Sequence, residues 1–307
     1  MAERSLDIVK EFLVAFSRNE LEAHKELLSE DAQADFSAIG LLQGRDQILK
    51  KMRLPEDFSD QSVTIVNALS YEEEDRTIIS LIGQHFNAYE DDPYLFAVVF
   101  GGQYAFVVKN GRIEKIVFVL EYQAENTYYL HEWKLSNGHN DYSGYHSVYD
   151  GMKQLKAIEA LNDDCVKAEK LTKLLFSSMN TKDLAVLDEL LDEDASFSRE
   201  KTYSSGVYEA GKKDISEFLS KVENYYDLNE YGIRVNSIKE NDAGYLADIQ
   251  LLSPQRLNTK KLQIGNRYHS FYDEAGHVQF DRDLKVREVK LEKVADIYYN
   301  GFDLLEV

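Results

Sequence analysis

Three polar residues interrupt otherwise apolar, strand-like stretches in the first half of the chain. They are His85 in "LIGQHFN", Tyr104 in "GGQYAFVV" and Glu121 at the end of "IVFVLEY". An imidazole, a phenol and a carboxylate are groups that exchange protons with a carbonyl compound, or hold its oxygen by hydrogen bonds. The same residue types also serve structure: strand tyrosines pack as core with a wet hydroxyl, and carboxylates at strand ends are solvated. The second half offers Asp248 in "YLADIQLL" and Tyr268 with His269 in "GNRYHSFY" as pocket candidates. Asp281 and Asp283 are placed to form ion pairs with Arg267 or Arg282.

Other chemistries find no support. There is no G-x-S-x-G, no Walker loop and no glycine-rich nucleotide fingerprint, so no cofactor is expected. The histidines are His24, His85, His131, His139, His146, His269 and His277, and none forms an HxxxH or HxH pair, so no metal site is expected. Cys165 is the only cysteine. Its neighbours Asp163 and Asp164 disfavour a thiolate, which marks it as inert. The formal net charge is −20, which argues against nucleic acid and anionic membranes as partners. The densest basic run, Lys50-Lys51-Met52-Arg53, fits solvated charges at a helix C-terminus. Asp7, Lys10 and Glu11 break any signal-peptide core, and no apolar run reaches membrane-spanning length. The expectation is a cytoplasmic protein.

The elements that must position these residues occur twice. At 307 residues the chain is long enough for two domains, each with its own core. In the first half, Leu6, Val9, Phe12, Leu13 and Phe16 make one helical face. Asn19, with Glu22 three positions later, predicts a cap for a second helix carrying Leu21, His24, Leu27 and Leu28 and ending at Glu30-Asp31. Gly44 precedes a short helix, "RDQILKKM". Four strand-like stretches follow, and Asn110-Gly111 marks a hairpin between the last two. The second half repeats this order. Leu171, Leu174, Leu175 and Ser178 form a helical face, Asn180 predicts the cap, and Gly211 precedes "KKDISEFLSKV". Polar turns are predicted at Glu240 to Gly244 and at Asp273 to Gly276. "ELLSEDA" in the first half returns as "ELLDEDA" in the second. The expected division is a first domain over 1–135, a linker with a helical lead-in over 136–162, and a second domain over 163–307.

An amphipathic helix, a capped second helix, "LLxEDA", a short strand, a glycine before a third helix and four long strands resemble the NTF2-like superfamily. Within it, the SnoaL-like relatives of polyketide cyclases are most similar. The resemblance implies an α+β fold of two tandem cones, each with about three N-terminal helices on a curved antiparallel sheet that can enclose a pocket. It also implies a catalytic acid just after the second helix in the isomerase-type members. Phe36 stands at that place, with Asp35 one position earlier and so on the opposite strand face. In the second copy the stretch is Phe197-Ser198-Arg199, with no carboxylate. The expected function is therefore binding of a small apolar or aromatic molecule. The alternative is a SnoaL-like lyase, isomerase or cyclase using acid–base residues in one cone. The 20 tyrosines suit a flat, partly polar ligand or an interface equally. The run Tyr128 to Trp133 fits a pocket lid or the seam between two cones. Packing of the two copies on each other would make an intramolecular pseudo-dimer, giving a monomer or a weak homodimer.

Overall fold

The computed structural model describes residues 2–37, 39–53, 58–89, 96–127, 130–135, 141–200, 207–214, 232–252 and 269–300. The chain divides into two compact units, one built on Met1–Asp150 and the other on Gly151–Leu257 and Ser270–Tyr299. Both are α+β. Among the described residues no helix is long and apolar enough to cross a membrane.

Unit 1 opens with α1 (Ala2–Ser17), whose Val9, Phe12, Leu13 and Phe16 recur at helical spacing and are all buried. Then come β1 (Leu28–Phe36), β2 (Gly40–Gln43) and α2 (Arg45–Met52). Gly44 enters α2 with φ +82, a conformation that a side chain would strain. The long strands β3 (Phe58–Glu73), β4 (Arg76–Tyr89), β5 (Phe96–Lys109) and β6 (Arg112–Thr127) follow, with β7 (Leu130–Leu135) paired to β6. Asn110 and Gly111 both take positive φ, 51° and 76°, and close the β5–β6 hairpin as the Asn-Gly pair predicts. The sheet order is β2-β1-β6-β5-β4-β3, with β1 parallel to β6. Alternation along β4 and β5 places Ile79, Leu81, Tyr104 and Phe106 in one core with α1 and α2.

The opposite face of that sheet is covered by residues 142–149, within the stretch expected as linker. A short helix there, α3 (Ser143–His146), brings the Tyr145 hydroxyl 2.5 Å from Ser80 Oγ. Gln103 Nε2 donates to Ser80 Oγ at 2.7 Å, and the Asp150 backbone N–H donates to the Tyr71 hydroxyl at 3.0 Å. Tyr142, Tyr145 and Tyr149 are all buried, which accounts for the tyrosine content of this segment.

Unit 2 contains α4 (Gly151–Glu159), α5 (Asp164–Thr181), α6 (Leu184–Leu190), β8 (Leu191–Glu200) and β9 (Val207–Gly211). It continues with β10 (Gly232–Asn241), β11 (Gly244–Leu252), β12 (His269–Phe280) and β13 (Val286–Asn300). Its order, β10-β11-β12-β13-β8-β9 with β8 parallel to β13, is the connectivity of unit 1. The duplication is therefore structural as well as sequential.

Three local expectations are corrected. The second helix of the first copy is only a 3-10 turn, Lys25–Leu27, and "ELLSEDA" leads into β1 instead of ending a helix. In the second copy the helix does form, as α6, because the Asp183 side chain accepts from the Val186 N–H at 3.3 Å. Unit 1 has Glu20 at the matching position, and glutamate is not among the favoured N-caps. Asn19 is not a cap either. Like Lys182 it lies just beyond its helix with φ 57, the left-handed geometry that ends a helix, while Asn180 is buried inside α5. Finally, Asp273 to Gly276 is no turn. Glu274 to Gly276 pair with β11 inside β12, with Asp273 at a register shift in the same strand, and the chain reverses at Asp281, whose carboxylate accepts from the N–H groups of Asp283 and Lys285. Of the helix expected after Gly211, only residues 212–214 are described, and they are helical.

Replacing the cap gives a first expected outcome. Asp183→Ala lowers stability by about 1 kcal/mol, read from the denaturation midpoint. An unchanged midpoint would remove the stated reason why only the second copy forms this helix.

Candidate functional site

The core of unit 1 beneath α1 contains a hydrogen-bonded line of polar side chains. Ser17, the last residue of α1, lies with its Oγ 2.7 Å from His85 Nδ1. On the other side of the imidazole, Nε2 lies 2.9 Å from the Tyr104 hydroxyl. Ser17 and His85 are each 1% exposed and Tyr104 is 0% exposed. His85 comes from β4 and Tyr104 from β5, both on the sheet face that packs against α1.

Aromatic rings fix the geometry. Tyr104 stacks on Phe118 with centroids 4.3 Å apart and on Phe106 at 5.6 Å, while Phe16 meets the imidazole edge-on at 5.2 Å. Gly83 makes the room, since a Cβ there would lie 3.0 Å from Tyr104 Cε2. Burial pushes the His85 pKa down to about 3 and raises that of Tyr104 well above the ordinary phenol value. Both groups are therefore neutral at pH 7.

Neutrality fixes the proton count. Ser17, neutral His85 and Tyr104 carry one polar hydrogen each, and the two bonds between them use two. One hydroxyl hydrogen remains. It belongs to Tyr104 if Ser17 donates to Nδ1 and Nε2–H donates to the phenol oxygen, and to Ser17 if the line runs the other way. The line can thus present a hydroxyl donor to an oxygen in a surrounding of stacked rings.

The remaining candidates fall elsewhere. Glu121 is a strand residue of β6, but its side chain lies outside the described residues. Tyr268 is outside them altogether, and His269 opens β12 with its side chain undescribed. Asp248 is exposed between buried Ala247 and Ile249, so it faces away from the interior of unit 2. Its cross-strand neighbour His277 has Nε2 3.6 Å from Glu288 Oε2. Asp281 pairs with Arg287 at 3.4 Å, whereas Arg282 pairs with Glu240. Asp35 lies on the side of β1 opposite buried Phe36, toward Gly144, as strand alternation requires. Cys165 is exposed at the start of α5. Among the described residues no three of His, Cys, Asp and Glu come together as metal ligands.

Sequence reasoning missed Ser17. The signal was available, because Ser17 follows Leu13 by four residues and so continues the buried face of α1.

Unit 2 does not repeat the line. Counting back two residues from the left-handed positions, Asn19 and Lys182, aligns Ser17 with Asn180. Counting along the matching hairpins, the Leu81–Tyr104 pair of β4 and β5 corresponds to Ile249–Gly276 of β11 and β12. Gly276 cannot be replaced by a tyrosine, since a Cβ there would lie 1.9 Å from the Lys290 carbonyl oxygen. Among the described residues the imidazole–phenol pair is therefore found in the first copy and not at the matching place in the second.

No protein-family model and no curated protein matches the chain. Several solved structures do. One is a protein with a ketosteroid isomerase-like fold from Catenulispora acidiphila, at 19% identity, TM-score 0.29, 36% coverage of this chain and 82% of that one. A LEH-like epoxide hydrolase of M. tuberculosis gives 14%, 0.31, 39% and 84% in the same order. An NTF2-like superfamily protein from Salmonella enterica gives 13%, 0.32, 36% and 84%. At these identities the likeness concerns the fold alone.

Proposed function

We propose that unit 1 binds a small, largely apolar or aromatic molecule carrying one hydrogen-bond-accepting oxygen, held by the Ser17–His85–Tyr104 line. The observation that supports this is the uncommitted hydroxyl hydrogen of a neutral, buried line set among stacked rings. Ligand sites have this composition: apolar walls with a few placed polar groups. The pair itself suits holding an oxygen better than moving protons. A general base works best with a pKa near the operating pH, and an imidazole pushed down to about 3 is far below it.

Native mass spectrometry of the full chain, released gently from its expression host, tests the reading. A small molecule is expected to be retained, and Tyr104→Phe is expected to reduce that retention by roughly tenfold, the equivalent of one hydrogen bond. Retention unchanged in both Tyr104→Phe and Ser17→Ala would overturn the assignment.

A further inference from the structure

The hydroxyl–imidazole line crosses a glycine-rich stretch of its own sheet. Tyr104 stands opposite Leu81 in the β4–β5 pairing, yet its hydroxyl reaches His85, which lies four residues further along β4 and pairs with Phe100. Between these two levels Gly83 faces Gly102, and Gly101 faces Gln84. The β5–β6 pairing also shifts register between Gly101 and Gly102. Glycines inside strands offer no side chain to pack, and a register shift interrupts the ladder, so both loosen a sheet locally.

A compensating set of bonds lies on the opposite face. Gln103 and Tyr104 are consecutive in β5, so their side chains leave it on opposite sides. Gln103 Nε2 donates to Ser80 Oγ of β4 at 2.7 Å and to the Tyr145 hydroxyl at 3.4 Å. That hydroxyl is itself 2.5 Å from Ser80 Oγ. This buried triangle ties β5 to β4 at the residues next to Tyr104 and Leu81, and ties both strands to the segment 142–149. For folding alone Gln103 is a poor choice. Its cross-strand neighbours on that face, Ile82 and Val119, are apolar and buried. Its Oε1 is buried with no hydrogen-bond partner among the described residues, a cost that an apolar side chain of similar length would not incur.

We propose that Ser80, Gln103 and Tyr145 are positioning residues for the line. From the opposite face of the sheet they hold β5 against β4 across the glycine stretch, so that the Tyr104 hydroxyl meets His85 Nε2. The proposal rests on the reading of unit 1 as a binding site and adds a control to it. The segment 142–149, through Tyr145, sets how firmly the site's phenol is held, and a binding group must be held to within roughly 0.5 Å to be effective. Ser17 lies outside this control, since it belongs to α1 and meets the other ring nitrogen, Nδ1. The two nitrogens of one ring therefore report separately on the two sides.

Nitrogen NMR of the His85 ring tests this in the full chain without added ligand, for Gln103→Met and Tyr145→Phe. Gln103→Met removes the unpartnered carbonyl along with the bonds, and Ser80 and Tyr145 keep each other, so its denaturation midpoint is expected to be unchanged or higher. In both variants the Nε2 signal is expected to shift and broaden, and to move more than that of Nδ1. Unmoved signals in both variants would overturn the proposal, because the triangle would then be packing alone. Equal movement of both nitrogens would overturn it too, as the mark of general loosening. A lower midpoint in Gln103→Met would contradict it, since Gln103 would then serve the fold itself. None of these results touches the binding reading, which is judged on small-molecule retention in Tyr104→Phe and Ser17→Ala.

Discussion

Gly276→Ala is expected to cost about 3 kcal/mol or more, since overpacking at an unyielding position reaches that range. The added methyl would meet the Lys290 carbonyl oxygen at 1.9 Å, the Lys290 carbonyl carbon at 2.9 Å and the Leu291 Cα at 3.1 Å. All three are backbone atoms of β13, so no side chain can rotate away. The strands must separate, and the loss is a sizeable share of an ordinary domain's stability. Gly40→Ala is the control, with φ +89 and no atom within 4 Å of the added carbon. It incurs only the left-handed strain, on the order of 1–2 kcal/mol. Amide exchange resolved by strand should show β11 to β13 losing protection in Gly276→Ala while β3 to β6 keep theirs. Protection retained in both units would mean that the two strands are not in this close contact, and the contrast between the copies at this register would fail.

The second large effect is acid destabilisation through His85. In the unfolded chain an imidazole takes up a proton near pH 6.5, whereas burial holds the folded value down to about 3. Between those limits the unfolded state binds the extra proton. Stability is therefore fully present above the unfolded value and is lost as pH falls, at about 1.4 kcal/mol per unit. From pH 6.5 to 5, above the range where most carboxylates titrate, the loss from this group is about 2 kcal/mol. His85→Asn removes the group, so its stability should fall less over the same interval by about that amount. Denaturant titrations at the two pH values, on both proteins, measure the difference. Parallel pH profiles would show that His85 titrates alike in the folded and unfolded chain.

Much of the architecture was legible from periodicity. The helical stripe of α1, the period-two strands, the Asn-Gly hairpin and Gly44 each depend on neighbours within a few residues, so local sequence determines them. Helix boundaries were less legible. Asparagine is favoured both as an N-cap and in the left-handed position that ends a helix. Asn19 satisfied the wrong rule because Glu22 happened to lie at capping-box spacing. The Asp273 to Gly276 segment has turn composition yet lies in a strand, because the approach of β13 at Gly276 demands a residue without a side chain. That cause is long-range and invisible in the segment itself.

The candidate site divides in the same way. His85 and Tyr104 were visible as polar residues in apolar strands, and their meeting depends on the β4–β5 register, which sets Tyr104 opposite Leu81, and on Gly83, which leaves room for the phenol ring between them. Asp248 was misplaced, although Ala247 and Ile249 on either side already put it on the outer face.

The central claim is that His85 is a neutral imidazole held between two hydroxyls, and nitrogen NMR of the ring in the full chain at pH 5 tests it most directly. The account predicts one protonated and one unprotonated ring nitrogen for His85, with both shifts unchanged between pH 7 and 5. An imidazolium pattern at pH 5, with both nitrogens protonated, would contradict it.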